Sequence, residues 1–359
     1  MLLEIIAVIV KGLFILTAGL VFATLLTWAE RKESALMQDR IGANRAAILG
    51  IRAMGLIHII CDAVKMIFKE DFIPPAGDRF IHSLAPVITF FSGLVIFAVI
   101  PFGDQLIIGG FAVPLVVADI DVGLLFVFAF ASLAVYGAIL GGWASNNKLS
   151  LLGAMRAAAQ MVSYEIGLGL SVIGIIMVYG TLSLTGIAEG QGDLLWGFLP
   201  KWGIFVQPLG FIIFFVAAYT ETKRDPMNLP EGESEIVGFW TEYSSMKFGL
   251  FFFAEFVEVV IAAMLATTLF FGGWQVPWLY ADGFSFPWGW EWNLPHLIVV
   301  LLQISSFFIK VTFFCWLQLL IRWTYPRFRY DQLMSLGWKW LLPLGLINIG
   351  ITGVLILWV

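Results

Sequence analysis

The sequence predicts an all-α polytopic membrane protein, and three observations carry that expectation. Of its 359 residues, 60% are hydrophobic, against roughly 45–50% in soluble domains. Only 13% are charged, where about 25% is usual. Mean hydropathy is +0.93, and apolar runs of membrane-spanning length recur along the chain. This composition excludes a soluble enzyme, a disordered scaffold and a fibrous repeat. A net charge of −5 argues against nucleic acid as a partner.

Eight spans are expected, in one membrane domain covering 1–359. They are Ile5–Ala29, Phe80–Phe102, Val122–Trp143, Met155–Thr181, Gly203–Thr220, Phe248–Phe271, Pro295–Ile321 and Trp338–Val359. Glu4 precedes the first apolar run, where a secretory signal would be basic, so that run reads as a retained helix. The basic residues give an orientation. All 20 except Lys11, Lys201 and Lys310 fall in the connections after the first, third, fifth and seventh spans or, as Arg156 and Lys339 do, at the first turn of the span that follows. By the positive-inside rule those connections face the cytoplasm or matrix, and both termini face away from it.

A further helix is expected after the first span, at about 49–70. His58, Asp62, Lys65 and Lys69 recur at i, i+4, i+7 and i+11, one polar stripe on an otherwise apolar helix. Such a helix lies in the interface as an anchor, or forms one wall of an amphipathic ligand passage.

Charges within spans are costly, about 2.5–3.5 kcal/mol on insertion scales, and so point to function. Glu165 lies inside span four. Glu255 and Glu258 lie at i and i+3 in span six, spaced to face one groove and share a proton, unless one of them snorkels. Glu221 ends span five, as a proton carrier or an ordinary interfacial charge. Lys310 in span seven is expected either to pair with a buried carboxylate or to snorkel toward the basic end. The loop at about 221–247 sits on the basic side yet carries Glu221, Asp225, Glu231, Glu233, Glu235 and Glu242. Pro226 and Pro230 suggest that it is shaped, fit to pass protons inward or to dock a partner.

No cofactor or metal site is legible. Cys61 and Cys315 form no CxxC pair, and His58, His82 and His296 have no ligand spacing. No phosphate-binding glycine motif follows a strand.

Five segments carry a family resemblance: AERKESALMQDRIGANR (29–45), DAVKMIFKEDFIP (62–74), GWASNNKLSLLGAMRAAAQMVSYE (142–165), LPEGESEIVGFWTEYSSMKFGLFFFAEF (229–256) and PRFRYDQLMSLGWKWLLP (326–343). With these the chain resembles the H-subunit family of NADH:quinone oxidoreductase, the quinone-site membrane subunit of respiratory complex I. The resemblance implies eight transmembrane helices plus an amphipathic helix, a quinone chamber where the membrane arm meets the hydrophilic arm, and the entry of a buried carboxylate proton path. It implies proton-path roles for Glu165, Glu221 and Glu255. Glu231, Glu233, Glu235 and Glu242 become the acidic loop at the chamber. Arg31, Arg40, Arg45, Asp62, Lys65, Arg224 and Asn228 fall at the chamber and junction. Quinone is the implied substrate, with FMN and iron–sulfur clusters only in partner subunits. The implied partners are the other membrane subunits, the hydrophilic-arm quinone-site subunits and lipid. The implied location is the bacterial cytoplasmic (inner) membrane ahead of the mitochondrial inner membrane.

The chain departs from the family pattern near the expected chamber. Ala43 stands where R-x-G-P-N has proline, His58 where glutamine is usual, and Asn228 where P-F-D-L has aspartate. V-S-G-F-N is shortened to Val237-Gly238-Phe239-Trp240. Three other readings stay open on the sequence: the homologous subunit of a membrane-bound hydrogenase or ferredoxin-linked complex, a stand-alone cation/proton exchanger, and a structural anchor for an oxidoreductase head.

Overall fold

The computed structural model describes residues 2–108, 111–195, 197–232, 235–236 and 238–358. Glu233 of the acidic loop and Val237 of the shortened motif lie outside the described residues. The chain is a mostly helical polytopic membrane protein. Among the described residues seven helices are long and apolar enough to cross a membrane: Ile6–Met37, Arg79–Val99, Gly123–Ala144, Lys148–Tyr179, Ser245–Phe270, His296–Thr324 and Tyr330–Trp358. In element terms these are α1 (Leu2–Met37), α3 (Arg79–Ile96), α4 (Gly123–Ala144), α5 (Lys148–Tyr179), α9 (Ser245–Phe270), α10 (His296–Thr324) and the run from α11 (Tyr330–Ser335) to α12 (Leu342–Trp358). The short helices between them are α2 (Ile57–Phe68), α6 (Leu184–Gly190), α7 (Gly203–Val206) and α8 (Pro208–Glu221).

Local signals set the helix ends. Asp78 accepts from the backbone N–H of Phe80 (2.9 Å) and Ile81 (3.0 Å) at the start of α3, and Asn147 accepts from Leu149 N–H (3.0 Å) at the start of α5. Both satisfy donors that the first helical turn leaves free. Helix α5 stops at Gly180, whose φ of 69° closes a left-handed cap on Ile176 O.

The segment expected as span five is two pieces. Helices α7 and α8 break at Gln207 (φ −134°, ψ 57°). Pro208 follows, and its ring disfavours the helical conformation in the residue before it. Helix α8 has 14 residues, about 21 Å at 1.5 Å per residue, short of a hydrocarbon core of about 30 Å. The break is paired inside the protein, as backbone irregularity at membrane depth must be. The Gln207 amide donates to Thr352 Oγ1 (2.6 Å), and Asn348 Nδ2 donates to Gln207 Oε1 (3.0 Å).

The helix expected at about 49–70 is regular only over α2. Leu49, Ala53 and Met54 take positive φ of 51°, 42° and 52°, which L-residues adopt at a cost. An Ile48–Ile51 bridge occupies that stretch instead. The connections also hold short strands that apolar patterning did not reveal: β1 (Gln105–Ile108) with β2 (Phe111–Pro114), β3 (Leu194–Leu195) with β4 (Leu199–Pro200), and β5 (Leu279–Tyr280), β6 (Gly283–Ser285) and β7 (Glu291–Asn293) in one antiparallel sheet. All lie in connections that carry few basic residues.

Helix α9 is the hub. It packs on α1, α2, α3, α8 and α10, and 67% of its apolar window is buried, against 22–44% for the other six. A carboxylate on α9 therefore faces protein rather than lipid, and that places Glu255 and Glu258 at the centre of the charge network.

Candidate functional site

Charged side chains gather where α1, α8, α9 and α10 meet the acidic loop. Glu30, near the C-terminal end of α1, sits between two arginines. Its Oε2 pairs with Arg224 Nη1 at 2.5 Å and its Oε1 with Arg322 Nη1 at 3.0 Å. The Arg224 guanidinium also lies 3.8 Å over the Phe256 ring on α9, a cation–π contact that suits a desolvated cation. Next to it, Lys223 takes a left-handed φ of 56° and pairs with Glu258 at 3.1 Å. The turn thus sends two adjacent cations to two different carboxylates.

Lys223 and Arg224 are only 2% and 4% exposed at the side chain. Burial opposes their charge. For Lys223, Glu258 and Glu255 outweigh burial and hold the ammonium above its ordinary range. For Arg224, Glu30 and Glu255 do the same. A raised cation pKa is fully stabilising below the ordinary value and lost only as pH climbs past the folded one, so both cations stay charged at neutral pH.

Asn228 is buried and donates its amide to Glu231 Oε2. Asn228 Oδ1, Glu231 Oε1, Arg224 Nε and Arg322 Nε are buried and have no hydrogen-bond partner among the described residues. Burial pushes the Glu231 carboxyl up to about 7, against the pull of the Asn228 donor, Arg322 and Arg224. Glu231 is therefore poised to gain or lose a proton near neutrality. Asp in place of Asn228 would remove the donor and set a second carboxyl against Glu231. Two such groups share one proton. The Asn228→Asp enzyme is expected to move the limb of its turnover–pH profile near 7 upward by about one unit, about 1.4 kcal/mol. A profile over pH 5.5–9 that coincides with the parent's would show that this limb does not report Glu231.

The rest of the acidic loop is less enclosed. Glu235 is about half exposed and pairs with Arg156 at 2.5 Å, and Glu242 accepts from Asn147 Nδ2 at 2.7 Å. Asp225 pairs with Arg327 at 2.8 Å. These contacts tie the loop to α5 and to the segment after α10.

Beyond the ion pairs lies a cavity of about 60 Å³, room for a few waters given roughly 10–15 Å³ for each. Glu221, Thr222 and Glu258 line it, and Leu124, Leu265 and Leu269 line its apolar walls. Glu221 is within electrostatic reach of both Glu258 and Glu165. Glu165 accepts a hydrogen bond from the Ser132 hydroxyl of α4. Glu255 is buried, within reach of Glu231, Arg224, Lys223 and Glu258. It is Glu258, not Glu255, that borders the cavity.

A second cleft, about 510 Å³, opens between the ends of α1 and α10. Glu30, Arg31, Ser34, Arg40 and Trp323 line it, and its size falls in the usual ligand range of about 300–1,000 Å³. Arg31 pairs with Asp62 of α2, and Arg40 Nε donates to Gln38 at 2.7 Å. His58 Nε2 accepts from Ala46 N–H at 3.2 Å. Arg45 and Lys65 are exposed and stand apart from the network.

Sequence reasoning missed Glu30, Lys223 and Arg322. The signal for Glu30 was present: it is the first carboxylate after an apolar run, on the same helix as Arg31. The alternatives for Lys310 both fail. Among the described residues it meets no carboxylate, and it does not turn to the basic end. It donates to the backbone oxygens of Phe271 (2.8 Å), Gly273 (3.1 Å) and Gln275 (2.6 Å). Those acceptors lie in the turn just past the C-terminal end of α9, the end of a helix whose dipole favours a cation.

Fold and site together define a polytopic helical membrane subunit whose buried charges collect at one end of the bundle and border a small cavity within it. A family model described as NADH dehydrogenase matches residues 10–353. The chain is 45% identical over 351 residues to an H subunit of the NADH-quinone oxidoreductase of Cytophaga hutchinsonii, covering 98% of this chain and 96% of that one. It is 43% identical over 355 residues to the H subunit of the Flavobacterium johnsoniae enzyme (98% and 95%). It is 45% identical over 338 residues to NADH-quinone oxidoreductase subunit 8 of Rhodothermus marinus (93% of each). The chain belongs to the H-subunit family of NADH-quinone oxidoreductase, a membrane subunit of respiratory complex I and so part of a translocase. These matches do not favour the hydrogenase-related or exchanger readings.

Proposed function

We propose that this subunit walls the quinone chamber and opens the proton path of the complex. Quinone is the substrate. The cleft bordered by Arg31 and Arg40 suits a polar headgroup by size and lining, with Asp62 holding Arg31 in place. Arg45, Lys65, Arg224 and Asn228 complete the chamber and its junction with the hydrophilic arm. FMN and iron–sulfur clusters belong to partner subunits, which supply the electrons. The other membrane subunits and the hydrophilic-arm quinone-site subunits are its partners.

The chain crosses the membrane eight times, with α7 and α8 acting together as the fifth span. The basic connections face the cytoplasm, both termini face away from it, and the membrane is the bacterial cytoplasmic one. Residues 1–359 form one membrane domain, with the amphipathic segment near 49–70 and the acidic loop at 221–247.

Negative charge arriving at the chamber raises the proton affinity of Glu231, Glu233, Glu235 and Glu242. Glu231, half-protonated near pH 7, passes the change inward. Arg224 and Lys223 relay it to Glu255 and Glu258, and Glu221 and Glu165 carry the proton on. About 1.4 kcal/mol per pKa unit means that a shift of a few units moves a proton.

The observation that carries this reading is the small cavity bordered by Glu221 and Glu258, where Glu258 pairs with the buried Lys223. It is tested with Glu221→Gln in the assembled complex in proteoliposomes. NADH:quinone turnover and proton uptake are expected to fall together, roughly tenfold or more. NADH oxidation by a small artificial acceptor, which draws electrons before the quinone, is expected to stay at the parent rate. Undiminished pumping by this variant would remove Glu221 from the path.

A further inference from the structure

The proton path leaves Lys310 unused, although it sits mid-span, halfway along α10. Its level is fixed by a neighbour two turns away. Gln318 Nε2 donates to Val259 O of α9 at 3.2 Å, so Lys310, eight residues earlier on the antiparallel neighbour, stands near Thr267. From there its side chain reaches on to the three carbonyls of Phe271, Gly273 and Gln275. Its ammonium also lies 4.5 Å from the Trp202 ring centre.

A second side chain holds the same segment. Gln191 Oε1 accepts from Gly272 N–H (2.8 Å) and Gly203 N–H (3.0 Å), and its amide donates to Thr268 O (2.8 Å). Residues 271–275 are thus pinned from two sides. The cavity bordered by Glu221 and Glu258 runs along α9 as far as Leu269. The pinned segment begins two residues further on. Rings close the gap: Phe271 packs on Phe211 (5.3 Å between centroids) and Phe314 (4.8 Å), with Phe270 also on Phe211 (5.4 Å).

We propose that Lys310 is the positioning residue of a proton seal at the far end of this cavity. It fastens the Phe271–Gln275 segment across the end of the cavity through three backbone acceptors, and so holds the aromatic plug of Phe271, Phe211 and Phe314 closed to water and protons. The role rests on the reading of the cavity as a proton path. It adds what keeps that path from short-circuiting to the opposite side.

The test is passive proton leak in proteoliposomes holding the assembled complex, followed with an internal pH dye after an acid jump and without NADH. Lys310→Met is expected to leak roughly tenfold faster than the parent, Lys310→Arg to stay tight, and electron transfer to quinone in uncoupled vesicles to stay near the parent rate. Adding Glu221→Gln to Lys310→Met is expected to stop the leak. If Lys310→Met fails to assemble, Phe271→Ala serves instead, because it opens the plug while leaving the backbone acceptors, and it is expected to leak likewise. Vesicles as tight as the parent's would overturn the seal. A leak untouched by Glu221→Gln would also overturn it, since the protons would then bypass the cavity. Normal pumping by Glu221→Gln alone would instead sink the path reading, so the two failures are told apart.

Discussion

Glu30→Gln is expected to lower the amount and thermal stability of the assembled complex more than any other single neutral substitution in this chain. Glu30 is the shared counter-ion of Arg224 and Arg322. Arg224 is almost fully enclosed, and its Nε has no acceptor among the described residues. Removing one partner of a buried ion pair leaves an uncompensated charge and costs about 3–5 kcal/mol. The amide introduced by Glu30→Gln keeps one acceptor for one arginine and offers the other a donor instead. The double variant Glu30→Gln/Arg224→Met is expected to recover most of the loss, because it takes out the charge that the single variant strands. The check is thermal unfolding of the detergent-purified complex beside the yield of complex per membrane protein. A single variant as stable as the parent would mean that solvent or a partner subunit, not Glu30, neutralises these arginines.

Lys223→Met is expected to have the second largest effect, and to strike function before stability. Without Lys223, Glu258 faces a largely apolar cavity wall with no cation beside it. A carboxyl can escape that cost by taking a proton, which a guanidinium cannot do. The variant therefore assembles, but Glu258 has lost the cation that balances its charged form at the cavity. Turnover with quinone is expected to fall at least tenfold, with the artificial-acceptor rate unchanged. Lys223→Arg is expected to keep part of the activity, since the charge survives on a bulkier group.

The membrane helices were legible because lipid imposes one rule on every turn of a spanning helix, and apolar run length reports it directly. The polar stripe of His58, Asp62 and Lys65 gave the amphipathic helix, but not its shortening to Ile57–Phe68. That depended on backbone turns over residues 49–55, where Leu49, Ala53 and Met54 take positive φ beside Gly50 and Gly55, two glycines that apolar patterning passed over. Span five looked continuous in hydropathy, yet Gln207 before Pro208 breaks it, and a proline rule applied locally would have found the break.

For the site, intramembrane cost singled out Glu165, Glu255 and Glu258 without any knowledge of packing. It did not tell Glu255 from Glu258, because i and i+3 share a face and only the neighbours decide which one meets the cavity. Glu30 and Arg322 escaped for a different reason. Each lies at the end of a span, where a charge is cheap and commonplace, and only the approach of α1 to α10 makes them a partly buried pair. Lys310 was visible as an anomaly, but its acceptors are backbone oxygens, which no side-chain pattern encodes.

The most direct measurement on the carboxylate path is the number of protons moved per NADH by the Lys223→Met/Glu258→Gln complex in proteoliposomes. This double substitution removes the buried cation and its partly buried anion together, so no stranded charge confounds assembly. Assembled complex with the parent's artificial-acceptor rate and proton translocation reduced at least tenfold is the expected result. The parent's proton-to-NADH ratio at the parent's quinone turnover would contradict the path, and would leave the Lys223–Glu258 pair as a structural tie between the acidic loop and α9.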